Sequence, residues 1–319
     1  MKKYYLLPLF LLFLTISFSQ KKKKNTNDGL KSSDLSGLKF RSVGPAFMSG
    51  RIADIAINPE NENEWYVAVG SGGVWKTVNS GTTWKAITDD QDFYSTGCIT
   101  IDPHNSSKIW LGTGENVGGR HVGIGHGVFV SDNGGKSWKS MGLKSSEHIS
   151  KIIVSPKDPD IVFVASQGPL WSPGGERGLY RTDNGGKTWK NVLSVNEWTG
   201  VTDIAIDHNN PNILYAATWQ RHRNVASYMG GGPGTSIYKS TDHGITWTEI
   251  KNGLPGSNLG KIGLAISPFD SNILYAAVET DRRNGAVYKT TNSGGSWKKM
   301  SDTVSGATGP HYYQELVAS

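Results

Sequence analysis

Cysteine is almost missing from this chain of 319 residues, which contains only Cys98. A single cysteine cannot form an intrachain disulfide, so packing alone has to hold the fold together. Charged residues are also few, at 19% of the chain, whereas 40 residues are glycine and 10% are aromatic. This composition excludes coiled coils and long helical bundles, which need many charged residues, and disordered chains, which lack aromatic residues. An all-β fold is therefore the first expectation.

An excess of one charge is missing from the body of the chain. The formal net charge is +6, but six lysines and no acidic residue lie within the first 24 positions. The remaining residues carry 27 basic and 27 acidic side chains. Composition therefore gives no electrostatic reason to expect a nucleic-acid partner.

Long apolar runs are missing too, apart from one near the N-terminus. The run over residues 4–16 follows two lysines and precedes Ser17-Phe18-Ser19, an order typical of a secretory signal peptide. Because the run is shorter than the roughly 20 residues that cross a bilayer, we expect no stable membrane span. An uncleaved N-terminal anchor is the alternative. We predict a signal peptide at 1–19, a polar linker at 20–40 and a secreted, periplasmic or cell-surface protein.

The body of the chain contains an internal repeat. Five ten-residue segments share one spacing, in which an aromatic residue is followed by Ser or Thr, Asn or Asp, Gly, Thr or Ser, and a final Trp. The segments are WKTVNSGTTW (75–84), FVSDNGGKSW (129–138), YRTDNGGKTW (180–189), YKSTDHGITW (238–247) and YKTTNSGGSW (288–297).

The chemistry of this repeat, which we call the turn motif, predicts a hairpin turn. The Asn or Asp side chain can hydrogen-bond backbone amides, and the Gly two residues later can adopt a positive φ without steric cost. The Trp then begins the return strand, where burial of its ring should anchor the hairpin to its sheet. The residues assigned to these structural turns are Asn79, Trp84, Asn133, Trp138, Asn184, Trp189, Asp242, Trp247, Asn292 and Trp297.

Two short apolar strands precede each turn motif. In the first repeat they cover 54–57 and 65–69, and the motif supplies strands three and four. Four strands in about 50 residues are typical of a β-propeller blade. We therefore predict an all-β propeller with five complete four-stranded blades over 41–302 and the first strand of a sixth blade over 303–319. Since five such blades rarely close a ring, the chain is expected to be a fragment of a larger propeller.

The motifs also resemble a known family. Residues 240–247, STDHGITW, match the Asp-box of sialidase-like propellers, and the other four turn motifs are near matches. The segments FRSVGPAFMSGRIADIAINP (40–59), GSGGVWKT (70–77) and GTGEN (112–116) resemble secreted bacterial proteins with a sortilin N-terminal type propeller, which are often grouped with xyloglucanase-like hydrolases. The resemblance covers about residues 40–319. It implies an Asp-box propeller, in a family that contains hydrolases, lyases and pure binding proteins.

The candidate functional residues, apart from Arg51 at the entrance to the innermost strand of blade one, lie in the loops between the second and third strands. These loops are long and unequal, and they emerge on the face opposite the turn motifs, which favours a binding surface. We expect Arg51 and Glu115 to lie close together at the mouth of the central channel. The alternative for all of these residues is a structural one, in which they brace the loops or close the channel. The predicted ligand-binding residues are Arg51, Glu115, Arg120, Trp171, Arg177, Trp219, Arg221 and Arg223.

Two functions are compatible with this surface. The first is binding of an extracellular glycan or peptide polymer without chemistry, since exposed rings stack on sugars and charged groups fix their orientation. The alternative is a xyloglucanase-like glycoside hydrolase, which needs two carboxylates, with Glu115 as the candidate. The resemblance to xyloglucanases implies a catalytic Asp where this chain has Gly70, and the resemblance to sialidases implies an Arg-Ile-Pro motif where Arg41 is followed by Ser-Val. Both departures argue against direct transfer of those mechanisms.

No cofactor and no metal site are expected. His121 and His126 lie five residues apart in a glycine-rich loop, a spacing that fits no recognised metal-ligand motif. The glycine-rich segment 112–119 lacks the Lys-Ser/Thr pair of a phosphate-binding loop.

Overall fold

The computed structural model describes residues 31–37, 50–256, 258–281, 284–302 and 315–318. The predicted signal peptide, most of the linker, Arg41 and most of the predicted sixth-blade strand lie outside the described residues, so those predictions stay untested. Ser32–Leu35 forms a short 3₁₀ turn in a unit separate from residues 49–319, which hold the sheets. Within the described part of the chain, no helix has the length and apolar character needed to cross a membrane.

The rest of the described structure contains twenty-two strands joined by turns and loops. In chain order they are β1 Ile52–Ile57, β2 Trp65–Val69, β3 Gly73–Thr77, β4 Lys85–Ala86, β5 Thr96–Asp102, β6 Asn105–Thr113, β7 Val128–Ser131, β8 Lys139–Ser140, β9 Ile149–Val154, β10 Val162–Ser166, β11 Gly178–Thr182, β12 Lys190–Leu193, β13 Thr199–Ile206, β14 Leu214–Gln220, β15 His222–Arg223, β16 Tyr228–Met229, β17 Ile237–Ser240, β18 Thr248–Glu249, β19 Ile262–Ile266, β20 Leu274–Asp281, β21 Asn284–Thr290 and β22 Lys298–Ser301.

These strands form five four-stranded antiparallel sheets, which confirms the all-β propeller prediction. The sheets are β1-β2-β3-β4, β5-β6-β7-β8, β9-β10-β11-β12, β13-β14-β17-β18 and β19-β20-β21-β22, and we call them blades one to five. Sequence reasoning missed the small hairpin β15-β16, which lies inside the long loop of blade four. Its strands have only two residues each, too few for a recognisable alternation.

Apolar side chains fill the spaces between neighbouring blades. Tyr66 and Val74 of blade one pack in one cluster with Ile99 and Leu111 of blade two, and similar clusters join blades two and three, three and four, and four and five. Each blade thus buries one face against the blade that follows it. This stacking is what a propeller uses in place of a single central core.

The outer face of blade one is not covered by any described residue. Ile55 of β1 is 50% exposed, whereas Ile99 and Ile152, at the same position in blades two and three, are 3% and 1% exposed. A blade packed against β1 would bury this isoleucine as its counterparts are buried. Completion of the ring by further blades stays a prediction.

The turn motif forms the same hydrogen bonds in all five blades. In blade three, the amide of Gly186 donates to Thr182 Oγ1 at 3.0 Å, and the amide of Thr188 donates to Asn184 Oδ1 at 3.0 Å. The central glycines have φ between +76° and +88°, a region that costs other residues energy. The equivalent bonds in the other blades join Gly81 to Thr77, Thr83 to Asn79, Gly135 to Ser131, Ser137 to Asn133, Gly244 to Ser240, Thr246 to Asp242, Gly294 to Thr290 and Ser296 to Asn292.

The prediction that the motif tryptophans are buried is only partly right. Trp297 is buried, but Trp84 is exposed and the other three are half-buried. Trp189 shows the reason, because its Nε1 donates to Met141 O of the preceding blade at 2.7 Å and its ring meets Trp110 edge-on. Such a ring covers the outer gap between two blades and does not lie inside one. Trp84 has no described blade before it and packs on Trp65.

Backbone hydrogen bonds join the turn motif to the turn between the first and second strands, so both turns lie at the same end of the blade. In blade one the amide of Ser80 donates to Asn63 O at 3.0 Å, and in blade four His243 donates to Asn212 O at 3.0 Å. In an antiparallel sheet, the loops between second and third strands must then emerge at the opposite end. We call that end the long-loop face.

Replacement of Gly244 by Ala should destabilise the protein by about 2–4 kcal/mol. The new Cβ would lie 2.4 Å from Cε1 of Phe163, which is fully buried and cannot move aside, at a φ of +76°. Gly174→Ala is the matched control, since Gly174 has a φ of +71° but no atom within 4 Å of its Cβ position, and it should cost about 1 kcal/mol. Equal losses in chemical denaturation would show that close packing is not what requires this glycine.

Candidate functional site

A four-residue segment of blade two runs across the centre of the long-loop face. This segment, residues 115–118, which we call the crossing segment, is separated from β6 by Gly114 alone and is buried. Its four consecutive backbone carbonyls each accept a hydrogen bond from a side chain of another blade, so blades three, four and five all hold it. The bonds are His148 Nδ1 to Glu115 O at 2.9 Å, Lys261 Nζ to Asn116 O at 2.9 Å, Arg221 Nη1 to Val117 O at 2.8 Å and Arg223 Nη2 to Gly118 O at 2.9 Å.

The donors that hold this crossing segment are buried and, except for His148, cationic. Burial lowers the pKa of Arg221 to about 9 and that of Lys261 to about 8. Burial also holds the pKa of His148 well below its usual range, with the charge of Arg221 acting in the same direction. Neutral His148 can still donate through Nδ1. The cations, in contrast, lose their hydration on burial, and the carbonyl oxygens replace it only partly. These groups therefore contribute a fixed geometry at an electrostatic cost.

The Glu115 side chain of the crossing segment extends to blade one. Arg51, immediately before β1, donates to both carboxylate oxygens, with Nη2 2.7 Å from Oε2 and Nε in contact with Oε1. This paired contact is the strong form of a carboxylate–guanidinium interaction. Glu115 is buried, while the side chain of Arg51 is 39% exposed. The expected proximity of the two residues is therefore seen, and their role toward a ligand stays a prediction.

Gly70 lies directly beside this carboxylate. A Cβ at Gly70 would lie 2.7 Å from Glu115 Oε1, so no larger residue fits there without movement of Glu115. Ser95 ties the two together, because its hydroxyl donates to Gly70 O at 2.8 Å and lies 3.1 Å from the amide of Glu115. Gly70 thus leaves room for a carboxylate that comes from the next blade.

Arg177 organises the loop of blade three. Its guanidinium donates to Gln167 O at 2.7 Å, to Trp198 O at 3.2 Å and, within the loop, to the carbonyls of Pro169, Ser172 and Gly174. Two of these carbonyls flank Trp171, whose ring is 46% exposed. The loop therefore presents an indole on a rigid base.

The structure separates the predicted ligand-binding residues into two groups. Arg177, Trp219, Arg221 and Arg223 are buried, and Trp219 Nε1 donates to Gly230 O at 2.9 Å. Their polar groups donate to backbone carbonyls, an arrangement that fits the structural alternative, and their role toward a ligand stays a prediction. Arg120 and Trp171 are exposed, and Arg51 is partly exposed. Only these three, with Glu115, keep the arrangement expected of a binding surface.

His121 and His126 do not join a metal cluster within the described residues. Both are exposed, and in that part of the chain no three His, Cys, Asp or Glu side chains converge as metal ligands would. The glycine-rich segment that carries them is shaped by backbone hydrogen bonds, such as that from Glu115 N to Gly123 O at 3.0 Å.

Sequence reasoning missed His148 and Lys261. Both stand one residue before the innermost strand of their blade, at Ile149 and Ile262, which is the position that Arg51 holds before Ile52. Ser95 holds the same position in blade two. When the blades are aligned by the pairing of their first two strands, Arg51, Ser95 and His148 are equivalent and Lys261 lies one residue later, so an alignment of the repeats would have found His148 but not Lys261.

Comparisons with known proteins agree with this architecture. No protein-family model matches the chain. A xyloglucanase from Hypocrea jecorina is 28% identical over 64% of the chain and 26% of its own length, and a xyloglucanase from Paenibacillus sp. is 23% identical over 86% and 28%. The chain thus spans about a quarter of the length of these curated relatives.

Solved structures show the same fold. An ancestral GH74 enzyme superposes with a TM-score of 0.62 at 23% identity, covering 81% of this chain and 32% of that one. The GH74 enzyme of Niastella koreensis gives a TM-score of 0.60 at 20% identity, covering 78% and 38%. The chain therefore has a β-propeller fold similar to that of these GH74 enzymes.

Lys261 should make stability depend on alkaline pH. Because its folded pKa is about 8 and its ordinary value is 10.5, the unfolded state binds more protons between these values, and its contribution to stability rises with pH. The stability of wild type relative to Lys261→Met should therefore increase from pH 7.5 to pH 10, by up to about 3 kcal/mol. Urea denaturation at both pH values measures this, with exposed Lys187→Met as control. A pH-independent difference would contradict the buried, charged state assigned to Lys261.

Proposed function

We propose that the complete protein is a glycoside hydrolase of the xyloglucanase type and that the long-loop face of these five blades forms part of its polysaccharide cleft. The names of the sequence relatives support the substrate class. The observation that carries the proposal is the position of the Glu115 carboxylate, which lies beside Gly70 and accepts a hydrogen bond from Arg51. The proposal also includes the Asp-box assignment of the turn motifs and export through residues 1–19.

Glycoside hydrolysis needs two carboxyl groups on either side of the scissile bond, about 5–9 Å apart. Resemblance to xyloglucanases implies an Asp at the position of Gly70. Here the carboxylate of Glu115 fills the space beside Gly70, so the acidic group comes from blade two. The second carboxyl group would come from another part of the complete protein.

The paired contact with Arg51 defines the role that suits Glu115. A carboxylate that accepts two guanidinium hydrogen bonds is held in one orientation. A carboxylate fixed in this way suits the role of base or nucleophile, or of a negative charge that stabilises an oxocarbenium-like transition state. The proton donor would be the second carboxyl group.

Binding of a glycan or peptide without turnover is the second candidate function. The observation that favours it is the same ion pair, because both oxygens of Glu115 contact Arg51. Such a pair can close the channel mouth as a purely structural link. Exposed Trp171 would then act in binding alone.

Glu115→Gln in the full-length protein separates the two functions. Under the proposal, release of reducing ends from tamarind xyloglucan should fall by roughly 10²–10⁴-fold in kcat, because Gln keeps the shape but not the charge. Glu62→Gln, an exposed carboxylate in the turn between β1 and β2, is the matched control and should keep full activity.

The remaining outcomes are equally informative. Full activity of Glu115→Gln would exclude Glu115 as a catalytic residue. A wild-type protein that binds xyloglucan in affinity electrophoresis but releases no reducing ends would favour the second candidate over the first.

A further inference from the structure

The three long loops carry more positive than negative charge, although the chain beyond residue 24 is balanced. Together, residues 114–127, 167–177 and 221–236 contain four arginines and two glutamates. Glu115 is already paired with Arg51, which lies outside these loops. Glu176 accepts hydrogen bonds from the amide and hydroxyl of Ser145 at 2.8 and 2.9 Å. The loops thus form a local electropositive surface.

The buried arginines of these loops form their hydrogen bonds with backbone carbonyls, while the charge of Glu147 nearby offsets part of the charge of Arg177 and Arg221. In the described part of the chain, no carboxylate forms an ion pair with Arg177, Arg221 or Arg223, whose hydrogen bonds go to backbone carbonyls. Carbonyl oxygens lower the cost of burial but leave the net charge in place. Because the interior screens charge weakly, the field of these groups reaches the surface above them.

Arg223 links the two loops that carry the exposed candidates of this face. Its amide donates to Leu170 O at 3.0 Å, and its guanidinium donates to Gly118 O at 2.9 Å. Trp171 follows Leu170 directly, and Arg120 lies two residues beyond Gly118. The pKa of Arg223 is lowered by burial and, with Tyr228 opposing, by the nearby charge of Arg120.

Trp171 and Arg120 differ from their surroundings in being exposed. The Trp171 loop is fastened by Arg177, so its indole is held in place before a ligand arrives. Arg120 is exposed and has no carboxylate within ion-pair distance among residues the structure describes. An exposed indole and an exposed guanidinium on two linked loops match a sugar ring that carries a carboxylate.

We propose that Trp171 and Arg120 form a subsite for an acidic sugar, in which the ring of a uronate residue stacks on Trp171 and its carboxylate pairs with Arg120. This subsite rests on the proposed function in that the ligand is a polysaccharide. It adds a preference for carboxylated over neutral chains. The three buried arginines of the loops strengthen that preference through their field, without touching the ligand.

The test compares two forms of one polymer, with its carboxyl groups free and charged or methyl-esterified and neutral. Binding of the full-length protein to polygalacturonate and to its fully methyl-esterified form is measured by affinity electrophoresis and calorimetry, with tamarind xyloglucan as a neutral chain and polyglutamate as an acidic peptide. We expect about tenfold tighter binding of the acid than of the ester. Arg120→Gln should remove that difference, whereas Arg120→Lys should keep part of it.

Two further variants separate a specific site from general attraction. Lys187→Gln removes one exposed positive charge in a turn motif, on the opposite face, and should leave binding unchanged. Trp171→Ala should weaken binding of both the acid and the ester, since stacking does not depend on charge. Polyglutamate should bind no more tightly than the methyl ester.

Equal binding of the acid and the ester, or an Arg120→Gln variant that still discriminates between them, would overturn the subsite. Polyglutamate binding as tight as that of polygalacturonate would overturn it in favour of a peptide ligand. If xyloglucan is hydrolysed but acidic chains show no advantage, the subsite fails and the proposed hydrolase stands. If acidic chains bind by way of Arg120 and xyloglucan is neither bound nor cleaved, the subsite stands and the xyloglucanase proposal fails.

Discussion

The functional face depends on one interaction: four successive carbonyls of residues 115–118 are bound by side chains from three other blades. A loop that crosses a propeller axis must satisfy its backbone without a strand partner, and here side chains from the surrounding blades supply the donors. The Glu115 side chain reaches the fourth neighbour, blade one, through Arg51. The segment thus touches every described blade, and its geometry depends on their stacking.

The two ends of the blades are stabilised in different ways. The turn motifs at one end form the same local hydrogen bonds in every blade, and some of them add a contact to a neighbouring blade, as Trp189 does. The long loops at the other end use contacts between blades, and no two of them have the same length. A repeat can therefore keep its fold on one face while loop residues such as Trp171 and Arg120 vary on the other.

The part of the fold that sequence predicts is the part that local chemistry determines. Ser, Asn and Gly at fixed spacing specify a turn wherever they occur, so the hairpins and the blade count followed from the repeat. Burial of Trp84 could not be predicted in the same way, because its exposure depends on which blade lies before it. The burial of Arg221 and Arg177 could not be predicted for a related reason. A guanidinium in a loop can face a ligand or a carbonyl, and only the path of neighbouring loops decides between them.

Hydrogen–deuterium exchange of the full-length protein, with and without xyloglucan heptasaccharide and trigalacturonate, tests the placement of the functional face most directly. The structure predicts that ligand slows exchange in peptides covering 114–127 and 167–177 and leaves the turn-motif peptides, such as 182–189, unchanged. Slower exchange confined to the turn-motif peptides, with the long loops unaffected, would contradict the assignment of function to the long-loop face.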